Sequence, residues 1–279
     1  MKQQLLLDWF DQNKRDLPWR GTTPWGVMVS EFMLQQTPVN RVLPVWREWL
    51  DRWPTPSDLA AAKRSEVITA WGRLGYPRRA LRLHESATII ANDFDNKVPA
   101  SIAELRSLPG VGEYTAAAIA AFAFNESVLV LDINIRRLFS RVIDGLEYPT
   151  LAPTTTERVR AAQLIPEDGA KWAAATMEFG ALVCKSKNPA CQLCPVTSQC
   201  AWRKAGYPPT SLPRKSQNWV GTDRQCRGTI VQALRENEKL SSVALNKLWQ
   251  DNSQIERALE SLILDKLIEL HHGHYGLPH

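Results

Sequence analysis

Four of the five cysteines fall in one short window, Cys184-x6-Cys191-x2-Cys194-x5-Cys200. Thiolates at such spacing can hold a single zinc ion or the irons of an iron–sulfur cubane. Zinc ribbons usually pair two C-x2-C knuckles; here one C-x2-C is flanked by wider gaps on a single loop. That favours the cluster and leaves zinc open. Cys226 lies outside the window and reads as a small packing residue. A second chemically suggestive position is Glu31, the one charged residue in Val27–Val39, VMVSEFMLQQTPV. A carboxyl group among apolar side chains has its ionised form disfavoured, so its pKa is expected to rise towards neutrality. It could then act as an acid, or it could be a structural carboxylate satisfied by backbone or by an arginine.

A third candidate is Leu108-Pro109-Gly110-Val111-Gly112. Two glycines around one apolar residue permit a tight turn, and the amides opening the next helix can hold a phosphate. An ordinary helix–helix connection would read similarly. Leu-Pro-Gly-Val-Gly opening a small-residue helix nevertheless matches the helix–hairpin–helix motif of DNA-binding proteins.

The elements that must position these groups are helices. Pro24 marks the start and Pro38 the end of a predicted helix over Trp25–Thr37, apolar on nearly every side and therefore buried. Ser57 before Asp58, and the pair Ser101-x-x-Glu104, read as helix starts; the second leads into Ser101–Ser107, the hairpin and Thr115–Phe124. Almost everything up to Arg203 reads as helix, Val128–Leu131 being the one strand-like run. YPPTSLPRKSQN, from Tyr207 to Asn218, reads as a linker. Beyond it come helical patterns at Arg224–Arg235, Ser242–Trp249 and Ser253–Leu267, then a tail with His271, His272 and His274. Three short helices and a terminal hairpin suit a winged-helix-like module, and the histidines suit a solvated hairpin better than a metal site.

With 279 residues, 44% apolar and 23% charged, the composition is that of a soluble globular protein of one or two domains. No apolar run approaches the ~20 residues of a membrane span, and MKQQLLLDWF is too short in apolar residues for a secretory signal. An intracellular protein without membrane association is expected. Between Ala201 and Gly228 six basic residues stand against Asp223 alone, which accounts for the chain's net +5. That segment is either a solvated linker or a phosphate-contacting stretch.

The hairpin, an aspartate about twenty residues downstream and the four-cysteine loop together resemble the helix–hairpin–helix DNA glycosylase superfamily. LPWR at Leu17–Arg20, SEFMLQQTPV at Ser30–Val39, WGRLGYPRRALRLH at Trp71–His84, LPGVGEYTA at Leu108–Ala116, LDINIRR at Leu131–Arg137 and MEFGALVC before the cysteines resemble its adenine DNA glycosylase (MutY) branch. The likeness runs from about Leu5 to Cys200.

The resemblance implies removal of adenine mispaired with 8-oxoguanine or guanine in double-stranded DNA, and a [4Fe-4S] cluster on Cys184, Cys191, Cys194 and Cys200. It implies that Glu31 is the acid that protonates adenine at N7, and that Asp132, with Asn134 beside it, stabilises the developing sugar cation. Asp132 could equally cap a helix beginning at Ile133. Family members usually carry glycine or threonine where Ile133 stands. Tyr114 occupies the position of the lysine with which endonuclease III-type relatives form an imine, so water should end on C1′. Gln35, Gln36 and Thr37 would probe the opened duplex, and Tyr76 would intercalate beside the oxidised guanine; most relatives have a second tyrosine at Pro77. Leu108, Gly110, Val111 and Gly112 would meet the DNA backbone, as would Arg20, Arg78 and Arg136; Arg79, Arg82 and Arg137 are further candidates.

The implied fold is all-α and two-lobed: a six-helix barrel over residues 22–129, a cluster domain from 1–21 and 130–206, a linker at 207–222 and a small C-terminal module at 223–279. The two carboxylates should face each other across a cleft. A monomer in the cytoplasm, associated with the nucleoid, is expected. Alternatives are a glycosylase for thymine opposite guanine, or a non-catalytic iron–sulfur DNA-binding protein. Relatives usually end in a sizeable recognition domain, and the roughly 60 residues after the linker show no pattern that matches it.

Overall fold

A computed structural model describes residues 1–210 and 219–279; most of the expected linker, with Arg214 and Lys215, lies outside the described residues. The chain order is α1 (Gln3–Asn13), α2 (Pro24–Leu34), α3 (Val39–Arg52), α4 (Pro56–Ala60), α5 (Arg64–Trp71), α6 (Arg78–Asp93), α7 (Ile102–Ser107) and α8 (Glu113–Phe124). It continues through α9 (Ile133–Phe139), α10 (Thr155–Ala162), α11 (Gly169–Leu182) and α12 (Ala201–Lys204) to α13 (Asp223–Glu236), α14 (Ser242–Asn246) and α15 (Asn252–Leu264). Three short strands, β1 (Leu240–Ser241), β2 (Glu269–His271) and β3 (His274–Gly276), pair antiparallel in the order β1-β3-β2. The chain is thus predominantly helical, with a small sheet beside the last three helices, as a winged-helix-like module requires. Val128–Leu131 is irregular rather than a strand.

By compactness the chain forms two units: residues 1–27, 100–106 and 111–214, and residues 28–99, 107–110 and 215–279. Residues 223–279 therefore belong to the same unit as most of the expected barrel, and α8 belongs with the cysteine loop.

The first unit is built on an apolar core that includes Leu6, Ile135, Leu138, Phe139, Trp172 and Phe179. Its helix starts follow the capping rule: Asp132, Thr154 and Asp168 each accept from an amide three residues on. The LPWR segment is tied down by one buried carboxylate. Glu178, 2% exposed on α11, accepts from the Arg15 amide at 2.9 Å, from Arg15 Nε at 2.8 Å and from Arg15 Nη2 at 2.7 Å; Arg20 Nη2 lies 3.1 Å away. Burial pushes this carboxyl's pKa up, but the Arg15 hydrogen bonds and the two guanidinium charges outweigh it and leave the pKa below the ordinary value.

The second unit has two cores. Trp49 packs edge-on against Trp53 and Trp71, with ring centroids 4.9 and 5.4 Å away. Ile68 of α5 and Leu81 of α6 are buried together with Cys226, Ile230, Val231 and Leu234 of α13 and Leu262 of α15. Cys226 is thus a packing residue, as its isolation from the other cysteines suggested. Around this apolar contact, Asp265 pairs with both Arg78 (3.1 Å) and Arg227 (2.5 Å), and Arg235 Nε donates to the Ile68 carbonyl at 3.1 Å. The start of α4 differs from expectation: Thr55, not Ser57, forms the capping box with Asp58, because Pro56 takes the first helical position.

The Glu178 cluster yields a stability prediction. Glu178→Gln should destabilise the protein by about 3 kcal/mol at neutral pH, the low end for breaking a buried pair because Arg15 is partly solvated. The folded pKa of Glu178 lies below the ordinary glutamate value of about 4.3, so the wild-type advantage is complete above that pH and fades as pH falls through the folded pKa. Urea denaturation over a pH series measures it; a gap that persists undiminished in acid contradicts the ion-pair account.

Candidate active site and cysteine centre

Glu31 is 5% exposed, flanked in α2 by the fully buried Ser30 and by Phe32 at 1%. The helix that carries it ends at Leu34, short of the predicted Thr37. The physical reason is in the next three residues: Gln36 adopts φ +56° and Pro38 cannot continue a helix. The carbonyls left open at the end are taken by Arg79. Its Nη1 donates to the oxygens of Phe32 (2.8 Å), Met33 (3.1 Å) and Gln35 (2.6 Å); its Nη2 donates to Thr37 Oγ1 and Gly75 O, both at 3.0 Å. Burial lowers the Arg79 pKa to about 10.

One guanidinium thereby joins the segment bearing Glu31, Gln35 and Gln36 to the Gly75–Tyr76 turn. That turn is fixed a second time by Trp71 Nε1, which donates to Gly75 O at 2.9 Å. Tyr76 has φ +48° and is 39% exposed, and Gln36 is also exposed. Of the residues expected to enter the duplex, Gln36 and Tyr76 hold a left-handed backbone, a conformation that non-glycine residues rarely keep without over-determined surroundings.

At the hairpin, Gly110 has φ +82°, and a Cβ there would come within 2.9 Å of the Phe32 ring and 3.0 Å of Arg82 Cβ. Only glycine fits. Ser86 Oγ donates to the Pro109 carbonyl at 2.7 Å, which pins the turn to α6. Leu108 and Val111 are buried, at 2% and 6% exposure. Their side chains hold the turn, and any contact there falls to the backbone.

In the other unit, Asp132 caps α9. Its Oδ1 accepts from the Ile135 amide at 2.6 Å and its Oδ2 from Asn134 Nδ2 at 2.5 Å. Capping and chemistry are compatible, because the cap fixes the carboxylate's orientation. Asn134 Oδ1 in turn accepts from Arg137 Nη2 at 2.9 Å, and Arg137 also donates to the Gly180 carbonyl at 2.6 Å and the Cys184 carbonyl at 2.9 Å. Gly180 is obligatory here, since a Cβ would meet Asn134 at 2.8 Å. Burial raises the Asp132 pKa, opposed by the Ile135 and Asn134 hydrogen bonds and by the Arg137 charge. Tyr114 lies partly buried in the first turn of α8.

Cys184, Cys191, Cys194 and Cys200 line one pocket with Leu138, Val142, Phe179 and Val183. Arg141, buried at 1% exposure, donates Nη1 to Cys184 Sγ at 3.6 Å and to the Lys185 carbonyl at 2.7 Å, and its guanidinium lies 4.6 Å from the Trp202 ring. Burial raises the Cys184 thiol's pKa and pushes that of Cys194 up to about 12. Neutral pH alone leaves such thiols protonated, so a cation in the pocket would have to release their protons. Among the described residues no grouping of three His, Cys, Asp or Glu side chains fits a metal ion.

Several expected DNA contacts are engaged internally instead. Arg136 is 5% exposed, with Nε on Glu157 Oε1 at 2.6 Å and Nη2 on the Thr150 carbonyl at 3.0 Å; a phosphate contact would break a buried pair. Arg79 and Arg137 are engaged by carbonyls and neutral side chains of the protein itself. Thr37 is 6% exposed and donates to the Leu74 carbonyl at 3.2 Å. Arg20 sits on Glu178 and over Phe10, and Arg78 on Asp265. Sequence reasoning missed Glu178 and Arg141. The only linear signal for Arg141 was its place one helical turn after Arg137.

Residues 29–156 match the pattern of the HhH-GPD superfamily base excision DNA repair proteins. Fold, hairpin and carboxylates thus define a helix–hairpin–helix base-excision repair protein. The adenine DNA glycosylase of Mycolicibacterium smegmatis is 47% identical over 271 residues, 95% of this chain and 91% of that protein. That of Mycobacterium tuberculosis is 47% identical over 281 residues, 98% and 92% of the two. The human adenine DNA glycosylase is 39% identical over 211 residues, 71% of this chain but 39% of that one. The chain belongs to the adenine DNA glycosylase family. Among solved structures, a thermostable thymine-DNA glycosylase superposes with TM-score 0.67 at 26% identity, covering 73% of this chain and 95% of that one. Endonuclease III in a non-covalent DNA complex shares the fold, with TM-score 0.63 at 20% identity and the same coverage.

The Arg79 clamp can be tested directly. Arg79→Lys leaves an ammonium to serve oxygens that a planar fork reached, and should cost about 2 kcal/mol of stability. Amide hydrogen exchange should accelerate at residues 35–37 and 74–77 and stay unchanged in α15. Uniform acceleration would contradict a local clamp.

Proposed function

We propose that the protein is a monofunctional DNA glycosylase that hydrolyses the N-glycosidic bond of adenine mispaired with 8-oxoguanine or guanine in duplex DNA. The observation that carries the reading is Glu31: a carboxyl group with 5% exposure inside an apolar helix, in a chain 47% identical to adenine DNA glycosylases over most of its length. Burial disfavours the ionised form of such a carboxyl, which suits it to the role of an acid.

The adenine must first leave the stack, and Gln36 and Tyr76 are the exposed residues that would fill the opened duplex. The Glu31 proton passes to N7 of adenine. The N9–C1′ bond then breaks with its electron pair going to the base, which departs as neutral adenine. Asp132, ionised, stabilises the positive charge that develops on the sugar, held in orientation by Ile135 N–H and Asn134. Water adds at C1′, and the proton it loses restores the acid. Tyr114 stands where an imine-forming lysine would be needed, so no strand cleavage follows.

Cys184, Cys191, Cys194 and Cys200 would hold a [4Fe-4S] cluster. Each thiolate of a cubane takes a different iron, so the ligands need not converge on one ion as they would around zinc. When bound, the cluster would order its loop, and the Arg137 and Arg141 guanidiniums would offset the thiolate charge.

Purified wild-type protein should release adenine from duplexes with A opposite 8-oxoguanine or G and leave T opposite G intact; strand breaks should need alkali. Thymine release would favour the alternative set by the thymine-DNA glycosylase likeness. Glu31→Gln and Asp132→Asn should each reduce base release by at least about 10²-fold while retaining DNA binding. Because burial raises the Asp132 pKa, single-turnover rates should fall on acidification from above the ordinary aspartate value of about 3.9. For the cluster, iron analysis should find about four irons per chain, and Cys194→Ala should lose them.

A further inference from the structure

Three side chains of one unit meet at a place that neither the hairpin nor the two carboxylates explains. The Arg224 guanidinium, at the start of α13, lies 4.5 Å from the centroid of the Tyr76 ring and 5.0 Å from that of Trp219. Arg79 approaches Tyr76 as well, at 5.6 Å. Trp219 is 49% exposed, Tyr76 39%, and Arg224 is exposed too. Among the described residues Arg224 enters no ion pair, whereas its neighbours Arg227 and Arg235 are engaged by Asp265 and the Ile68 carbonyl.

The placement is rigid. Ile230, Val231 and Leu234 seat α13 on Ile68 and Leu81, and Asp265 bridges Arg78 to Arg227. The strained Tyr76 backbone is held from the other side by Arg79 through Gly75. A planar cation between two half-exposed aromatic rings is a stacking platform of the kind that takes an unstacked nucleobase. A guanidinium also offers donors in the plane of the ring edge, which suits a purine carrying carbonyl oxygens.

We propose that Arg224 and Trp219 extend the Tyr76 contact into a platform for the base on the strand facing the excised adenine, so that the C-terminal module contributes to recognition of that opposite purine. This rests on the glycosylase reading above and adds to it residues that would read the opposite strand.

The test measures binding by fluorescence anisotropy with full-length protein, using duplexes that carry a non-hydrolysable adenine analogue opposite 8-oxoguanine, opposite G or opposite a baseless residue. Arg224→Gln and Trp219→Ala should each weaken binding about tenfold when a purine is opposite, within the range for one stacked base. Wild type and variants should bind the baseless duplex alike. Trp219→Phe keeps an aromatic face and should restore most of the affinity, with the melting temperatures of all variants recorded to exclude loss of the module. Equal weakening on all three duplexes, with a salt slope lowered by about one, would identify a phosphate contact and overturn the proposal; so would unchanged binding. Absence of adenine release by wild type would instead sink the glycosylase reading, which keeps the two failures distinct.

Discussion

The guanidinium of Arg79 is the interaction on which the segment bearing Glu31, Gln36 and the Tyr76 turn depends. A helix that must stop short leaves carbonyls unsatisfied, and two turns that each hold a left-handed non-glycine residue, Gln36 and Tyr76, need outside support. Arg79 supplies both, with five oxygens within 3.1 Å of its two terminal nitrogens. The same group therefore caps the end of α2, the helix that carries Glu31, and supports the turn that presents Tyr76. Its lowered pKa marks the desolvation that this arrangement tolerates. A buried cation whose oxygen partners are all uncharged is a costly device.

The other unit uses the same strategy with carboxylates. Asp132 is oriented by a helix amide and by Asn134, Asn134 by Arg137, and Arg137 by carbonyls at Gly180 and Cys184. A chain of hydrogen bonds thus runs from the candidate catalytic carboxylate to the first cysteine of the four-cysteine loop. Occupancy of the cysteine pocket and orientation of Asp132 share a scaffold, although no chemistry passes between them.

Much of this was legible in the sequence because it follows from local rules. Proline placement and an apolar surround located Glu31 in a buried helix, the Gly-x-Gly turn located the hairpin, and cysteine spacing located the pocket. The end of α2 was misplaced by three residues, since the left-handed turn at Gln36 is held by a distant arginine. Phosphate contacts were over-assigned to arginines for a related reason: Arg136 and Arg137 look identical in sequence to solvated arginines, and only tertiary partners such as Glu157 and the Gly180 carbonyl reveal them as internal. The grouping of residues 215–279 with residues 28–99 was likewise invisible, because an amphipathic helix does not state which surface it covers.

That shared core has a practical consequence for anyone dissecting the molecule. Ile68 and Leu81 are 0% and 3% exposed only because α13 and α15 lie on them. Trimming the gene at the linker would therefore turn two helices sticky and strand the Arg78 side chain without Asp265. The last sixty residues behave as a wall of the enzyme rather than an appendage, and should be inherited, expressed and exchanged together with it.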